Sequence, residues 1–157
     1  MTHTPRRSSS PPLRSSDEQR RGDPDTRDDF PVTLTAGSFR SDPSDGWVVP
    51  HVWTEQGVVV RAAPNGAGVL HVAVALCVLN DTYREGDALG VPVAGVRVGA
   101  RGVFDTESWV STGITYAVEI DSPADDDAVA KLLQRVDEVA EIPRVLRAGT
   151  SVERSDG

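Results

Sequence analysis

From Leu70 to Leu79 every residue except His71 is apolar, and Asn80, Asp81 and Thr82 then restore polarity. A helix that is apolar on all faces is normally buried in the core of its domain. This run therefore predicts a central helix over residues 69–85, or on to Leu89, entered through the turn at 63–68. Ahead of it the pattern changes period. Residues 31–37 alternate as a half-buried strand does, and 41–46 are a dense turn signal. Residues 47–53 read as a second strand, broken or set at a sheet edge by Pro50. After a turn at 54–57, residues 58–62 form a third strand.

Beyond the helix, 90–94 lead into a strand at 95–103, with Val96, Val98 and Val103 at apolar positions and Arg97 and Arg101 outward. Residues 105–111 are a loop. Ile114, Tyr116, Val118 and Ile120 then fall on one face of the clearest strand in the chain. Ser122 as N-cap, Pro123 at the first helical position and acids behind them open a second helix. Its stripe is Val129, Leu132, Leu133, Val136 and Ala140, with Asp126, Asp127, Gln134, Asp137 and Glu138 toward solvent. Ile142-Pro143 ends or kinks it, 144–149 make a further turn, and 150–153 read as a last short strand. The order β-β-β-α-β-β-α-β puts strands in runs around two helices, an α+β pattern.

Composition sets the boundaries. In residues 1–30, six Arg face five Asp and one Glu among many Ser and Pro, with almost no apolar bulk. Such a segment cannot offset its ordering entropy by burial and is expected to be disordered. It carries no apolar run of the kind a secretory signal needs. The domain is thus expected over 31–154, with 155–157 a polar end. The net charge of −8 resides in the domain, since the tail's charges cancel. An acidic domain lacks the clustered cations that nucleic acid requires, and no apolar run reaches the length expected of a membrane span. A cytoplasmic protein is expected. The single cysteine excludes an intrachain disulfide and a cysteine-rich zinc site, and nothing in the spacing calls for a metal or cofactor.

Cys77 is the candidate for chemistry. A reactive thiol needs a cation, a helix N-terminus or a donor nearby. Cys77 lies two turns inside its helix, and its neighbours at three and four residues are Ala73, Val74, Asn80 and Asp81. Asp81 would raise the thiol pKa if close. Free cysteines are also among the most buried residues, so inert packing stands beside reactivity. His71 is six residues away, about 600° around the helix, and sits on another face as a core or dimer-contact histidine. His51 could approach from a strand. Asp81 and Glu85, one turn apart, offer paired carboxylates or a metal site, with a solvated helix end the better reading. Trp47, Trp53 and Trp109 serve as packing anchors or line an apolar pocket.

The order of elements, with a cysteine midway along the first helix, resembles the OsmC/Ohr family of osmotically induced and organic hydroperoxide resistance proteins. Residues 70–83 look like its cysteine-bearing helix, 90–98 like the segment that follows, and 129–146 like its second helix and what comes after. The resemblance covers roughly 58–152. It implies an OsmC-like fold: an intertwined homodimer with antiparallel sheets wrapped around the central helices. It also implies that Cys77 attacks an organic hydroperoxide. Ile142 stands where the resolving cysteine would be, and the turn before the helix has no glutamate. Arg40 is the candidate for the assisting arginine. The chain then resembles a divergent, one-cysteine peroxidase dependent on an external thiol reductant. The alternative is a non-catalytic dimer that binds an apolar ligand or a protein partner, with Cys77 a packing residue. The Arg-rich tail is a further candidate for partner recognition.

Overall fold

The structure is a computed structural model that describes residues 29–154. Strands β1 (Val32–Gly37), β2 (Trp47–Val49) and β3 (Val58–Arg61) precede the long helix α1 (Gly66–Leu89). Strands β4 (Gly95–Phe104) and β5 (Ser111–Asp121) follow, then helices α2 (Asp126–Val139) and α3 (Glu141–Ala148). The five strands form one antiparallel sheet in the order β2-β3-β1-β4-β5. The α+β class stands, with a single sheet in place of several.

Register explains the core. Val60, Leu34, Val98 and Val118 are successive partners across four strands. The first three of these are fully buried. They meet Val72, Ala75, Val78 and Leu79 of α1, and Leu132 and Val136 of α2 close the cluster. Side chains alternate across a strand, so Val96, Val98 and Ala100 face inward while Arg97 and Arg101 face out. Val103, expected inward, falls on the outward parity and is 41% exposed.

The central helix runs the full expected length to Leu89 and starts three residues earlier, at Gly66. Asn65 caps it by accepting the Gly68 N–H at 2.8 Å. Gly90 ends it in the left-handed conformation at φ 69°, where a residue without Cβ meets no penalty. Contrary to the sequence reading, α1 is by length and apolarity able to cross a membrane, but here it packs against β1, β4, α2 and α3. His71, Asp81 and Thr82 are buried along it.

Several expectations need correction. The last strand at 150–153 is absent: the segment is coil, and Val152, at 93% exposed, has no face to bury. Pro143 does not stop the chain's helicity. The break falls at Ala140, and Pro143 sits in the first turn of α3, where its missing N–H costs nothing. The N-cap of α2 is Asp125, which accepts the Ala128 N–H at 2.8 Å, rather than Ser122. The second strand ends at Val49, just before Pro50, and β2 is indeed a sheet edge. The tryptophans are no core anchors: Trp47, Trp53 and Trp109 are 36%, 40% and 72% exposed. Residues 1–28 and 155–157 of the expected tail and end lie outside the described residues. Asp29 and Phe30 belong to the domain, since Asp29 bridges Val103 and pairs with Arg101. Phe30 packs edge-on against Phe104.

Candidate functional site

Cys77 occupies the middle of α1, half-buried, in an open cleft of about 390 Å³. Pro50, His51, Val52, Ala73, Leu76, Asn80 and Ile142 line the rest of it. The cleft therefore joins the helix to the segment after β2 and to the start of α3. The wall is mostly apolar because the apolar surface of α1 is wider than the sheet and helices cover.

Two carboxylates converge on the sulfur. Cys77 Sγ lies 3.8 Å from Asp81 Oδ2 and 3.7 Å from Glu141 Oε2. Asp81 is one turn along α1, whereas Glu141 arrives from the opposite part of the sequence at the first position of α3. Arg84 ties the outer oxygens together: its Nη1 is 2.9 Å from Asp81 Oδ1 and 3.5 Å from Glu141 Oε1. Its Nε donates to Glu85 Oε1 at 3.0 Å, and Arg135 takes the other Glu85 oxygen. Asp81 and Glu85 thus divide rather than pair. Asp81, with a side chain only 1% exposed, is no solvated helix end.

The N-terminus of α3 supplies donors to the same sulfur. No side chain caps this helix at Ala140, and the backbone N–H groups of Ile142 and Glu141 act to lower the thiol's pKa. Helix N-termini favour anions, yet burial outweighs them, and Asp81 and Glu141 add repulsion. The thiol is pushed above its ordinary range. Burial likewise raises the Asp81 carboxyl, with Arg84 opposing it. Glu141 is held below the usual carboxylate range by its own backbone N–H and by Arg84.

The sequence candidates fall into place around this centre. Ile142, the position compared with a resolving cysteine, does line the cleft beside Cys77. His51 reaches the cleft wall, from a loop rather than a strand, and hydrogen-bonds Thr54 Oγ1 at 2.9 Å. Its ring meets Tyr83 edge-on at 5.4 Å. His71 is a core histidine: fully buried, stacked on Phe104, with Nδ1 2.7 Å from the Phe30 carbonyl oxygen. Arg40 Nε donates to the Gln56 carbonyl at 3.2 Å, and the guanidinium joined to the cysteine's carboxylates is that of Arg84. Sequence reasoning missed Glu141 and Arg84. The signal for Glu141 was its place directly before Ile142-Pro143, and for Arg84 its spacing of three from Asp81.

The backbone matches solved structures. The chain aligns with the crystal structure of an OsmC-like hydroperoxide resistance protein from Jannaschia sp. CCS1 at a TM-score of 0.55 and 13% identity, covering 83% of this chain and 97% of that one. The chain has an OsmC-like fold. A second OsmC-like protein, from Mycoplasma pneumoniae, aligns at a TM-score of 0.50 and 16% identity over 60% of this chain and 75% of that one. No family model matches the sequence, and no curated protein does either. Within this OsmC-like frame the cysteine lies on the central helix, as the sequence resemblance implied.

Proposed function

We propose that this OsmC-like protein reduces organic hydroperoxides through Cys77. The observation that carries the reading is a thiol opening on an apolar cleft with the Glu141 carboxylate 3.7 Å from its sulfur. Glu141, held ionised, takes the thiol proton as the sulfur attacks the terminal peroxide oxygen. The O–O bond breaks, and the departing alkoxide takes up that proton and leaves as an alcohol. Cys77 becomes a sulfenic acid. An external thiol then attacks this sulfur, releasing water and forming a mixed disulfide. A second external thiol frees Cys77. The apolar cleft lining favours an alkyl or aryl hydroperoxide over hydrogen peroxide.

The test is a titration with cumene hydroperoxide while free thiol and intact mass are followed. One oxygen gained per chain, lost in Cys77→Ala, is expected. A thiol that persists while the protein stays folded refutes the reading. The raised thiol pKa favours a second reading, in which the OsmC-like chain binds an apolar ligand or partner and Cys77 only packs. Both readings include a homodimer, supported by an apolar groove of Leu70, Val74, Ile114, Pro143 and Leu146 beside the exposed Val69 and Val145. A monomeric mass in light scattering at micromolar concentration would refute the dimer.

A further inference from the structure

We propose that Cys77, Asp81 and Glu141 together form a binding site for a divalent cation of the zinc type, with its fourth position open to the cleft. The three donor atoms lie within 4.8 Å of one another. In a tetrahedral zinc centre, metal–sulfur and metal–oxygen bonds of about 2.3 and 2.1 Å place sulfur and oxygen about 3.6 Å apart. The separations here are 3.7 and 3.8 Å. On these two separations a metal can enter between the sulfur and each oxygen with little movement.

Two further features of the cleft bear on a cation. Cys77 has one S–H proton for two inward carboxylate oxygens; when it turns to Glu141, whose side chain is exposed, Asp81 Oδ2 is left without that donor. Asp81, one of the two, is 1% exposed and cannot turn to water. A buried carboxylate oxygen left unmatched is costly. On the wall of the same cleft, His51 Nε2 is buried without a hydrogen-bond partner among the described residues. A cation held by Oδ2 would answer the first, while His51 stands outside the group of three donors.

The outer arrangement fits as well. Ligating carboxylates are normally held by an outer partner that fixes their orientation. Arg84 Nη1 does this for Asp81 Oδ1 and Glu141 Oε1, leaving Oδ2 and Oε2 aimed inward. Thiolate and two carboxylates carry three negative charges, which a divalent ion and Arg84 balance. Binding displaces the thiol proton to solvent. A soft sulfur with two hard oxygens suits zinc or cobalt over calcium or magnesium.

This site stands whether or not Cys77 reduces peroxides, and the experiment keeps the two apart. Full-length protein is stripped with a chelator and titrated with cobalt(II), then with zinc. The expected result is tetrahedral cobalt bands in the visible, a thiolate-to-cobalt charge-transfer band in the near-ultraviolet, and saturation at one ion per chain. Zinc should displace the cobalt and protect Cys77 from iodoacetamide. Cys77→Ser should lose the charge-transfer band. Glu141→Gln, a change at an exposed side chain, should weaken cobalt about 10-fold or more. Circular dichroism confirms that each variant is folded. Absence of the band in folded wild-type protein, or its persistence in Cys77→Ser, overturns the proposal. Peroxide consumption by the stripped protein is measured separately, so an inert thiol that still gives the cobalt band refutes only the peroxidase reading.

Discussion

Where α1 lies on the sheet is fixed partly by Gly37, and replacing it should be far more costly than replacing a glycine of similar backbone angle elsewhere. Gly37 closes β1 at φ 62°, and Gly90 caps α1 at φ 69°. An alanine at either position enters the left-handed region, at roughly 1–2 kcal/mol. It also reduces the freedom of the unfolded chain by about 0.4–1 kcal/mol in the opposite sense. Those two effects are shared. At Gly90 an added Cβ meets open space, whereas at Gly37 it would lie 2.7 Å from Tyr83 Oη, 2.9 Å from Gly95 Cα and closer still to the Ala94 carbonyl oxygen. The last two neighbours are backbone, and Tyr83 is buried on the same helix as Cys77. Overpacking of this kind adds about 1–3 kcal/mol. Gly90→Ala should thus destabilise by about 1 kcal/mol or less, and Gly37→Ala by about 2–4 kcal/mol. Urea unfolding followed by far-ultraviolet circular dichroism reads both, with the slope checked for constancy. Equal losses in the two variants, within about 0.5 kcal/mol, would mean that the Ala94–Tyr83 surroundings yield freely and that the packing argument is wrong.

Arg84→Ala leaves the buried Asp81 carboxylate without its counter-ion and should cost about 2–3 kcal/mol, reduced from the fully buried case by the partial exposure of Arg84. Asp81→Asn, which removes the charge itself, should cost less, and equal losses in urea melts would refute this. The pH dependence follows. The folded Asp81 carboxyl lies above its unfolded value, and losing Arg84 raises it further. The folded variant then binds the proton more tightly than the unfolded chain, so its stability deficit should shrink as pH falls toward the ordinary carboxylate range. A deficit constant with pH would count against that reading. For the chelator-treated protein, Cys77 alkylation should have its pH midpoint alkaline of the unfolded chain's, because burial and two acids raise the thiol. Glu141→Gln should move that midpoint back down. A midpoint acidic of the unfolded chain's would mean that the N-terminus of α3 prevails over burial.

The alternation of apolar and polar residues through Leu34, Val98 and Val118 and the all-round apolarity of residues 70–79 suffice to place the long strands and the central helix. Those signals are local, because a period of two or a continuous apolar run is written in neighbouring residues. The weak elements failed for the same reason. Residues 150–153 had strand-like composition but no partner, and Ser122-Pro123 competed with Asp125 for one cap. The site divides in the same way. Cys77 and Asp81 share a helix, and their spacing of four announced their contact and its effect on the thiol.

Glu141 could not be read so, since it is 64 residues from Cys77 in the chain and 3.7 Å from it in space. The break at Ala140 sets the first residue of α3 so that its carboxylate meets the sulfur. By itself the sequence determined the α+β class, the buried helix and the cysteine upon it. The tertiary structure decided what surrounds that cysteine: an apolar cleft, two acids and one arginine that holds them both. Chain periodicity fixes which face of an element is buried, while the company kept by that face depends on packing between elements distant in sequence.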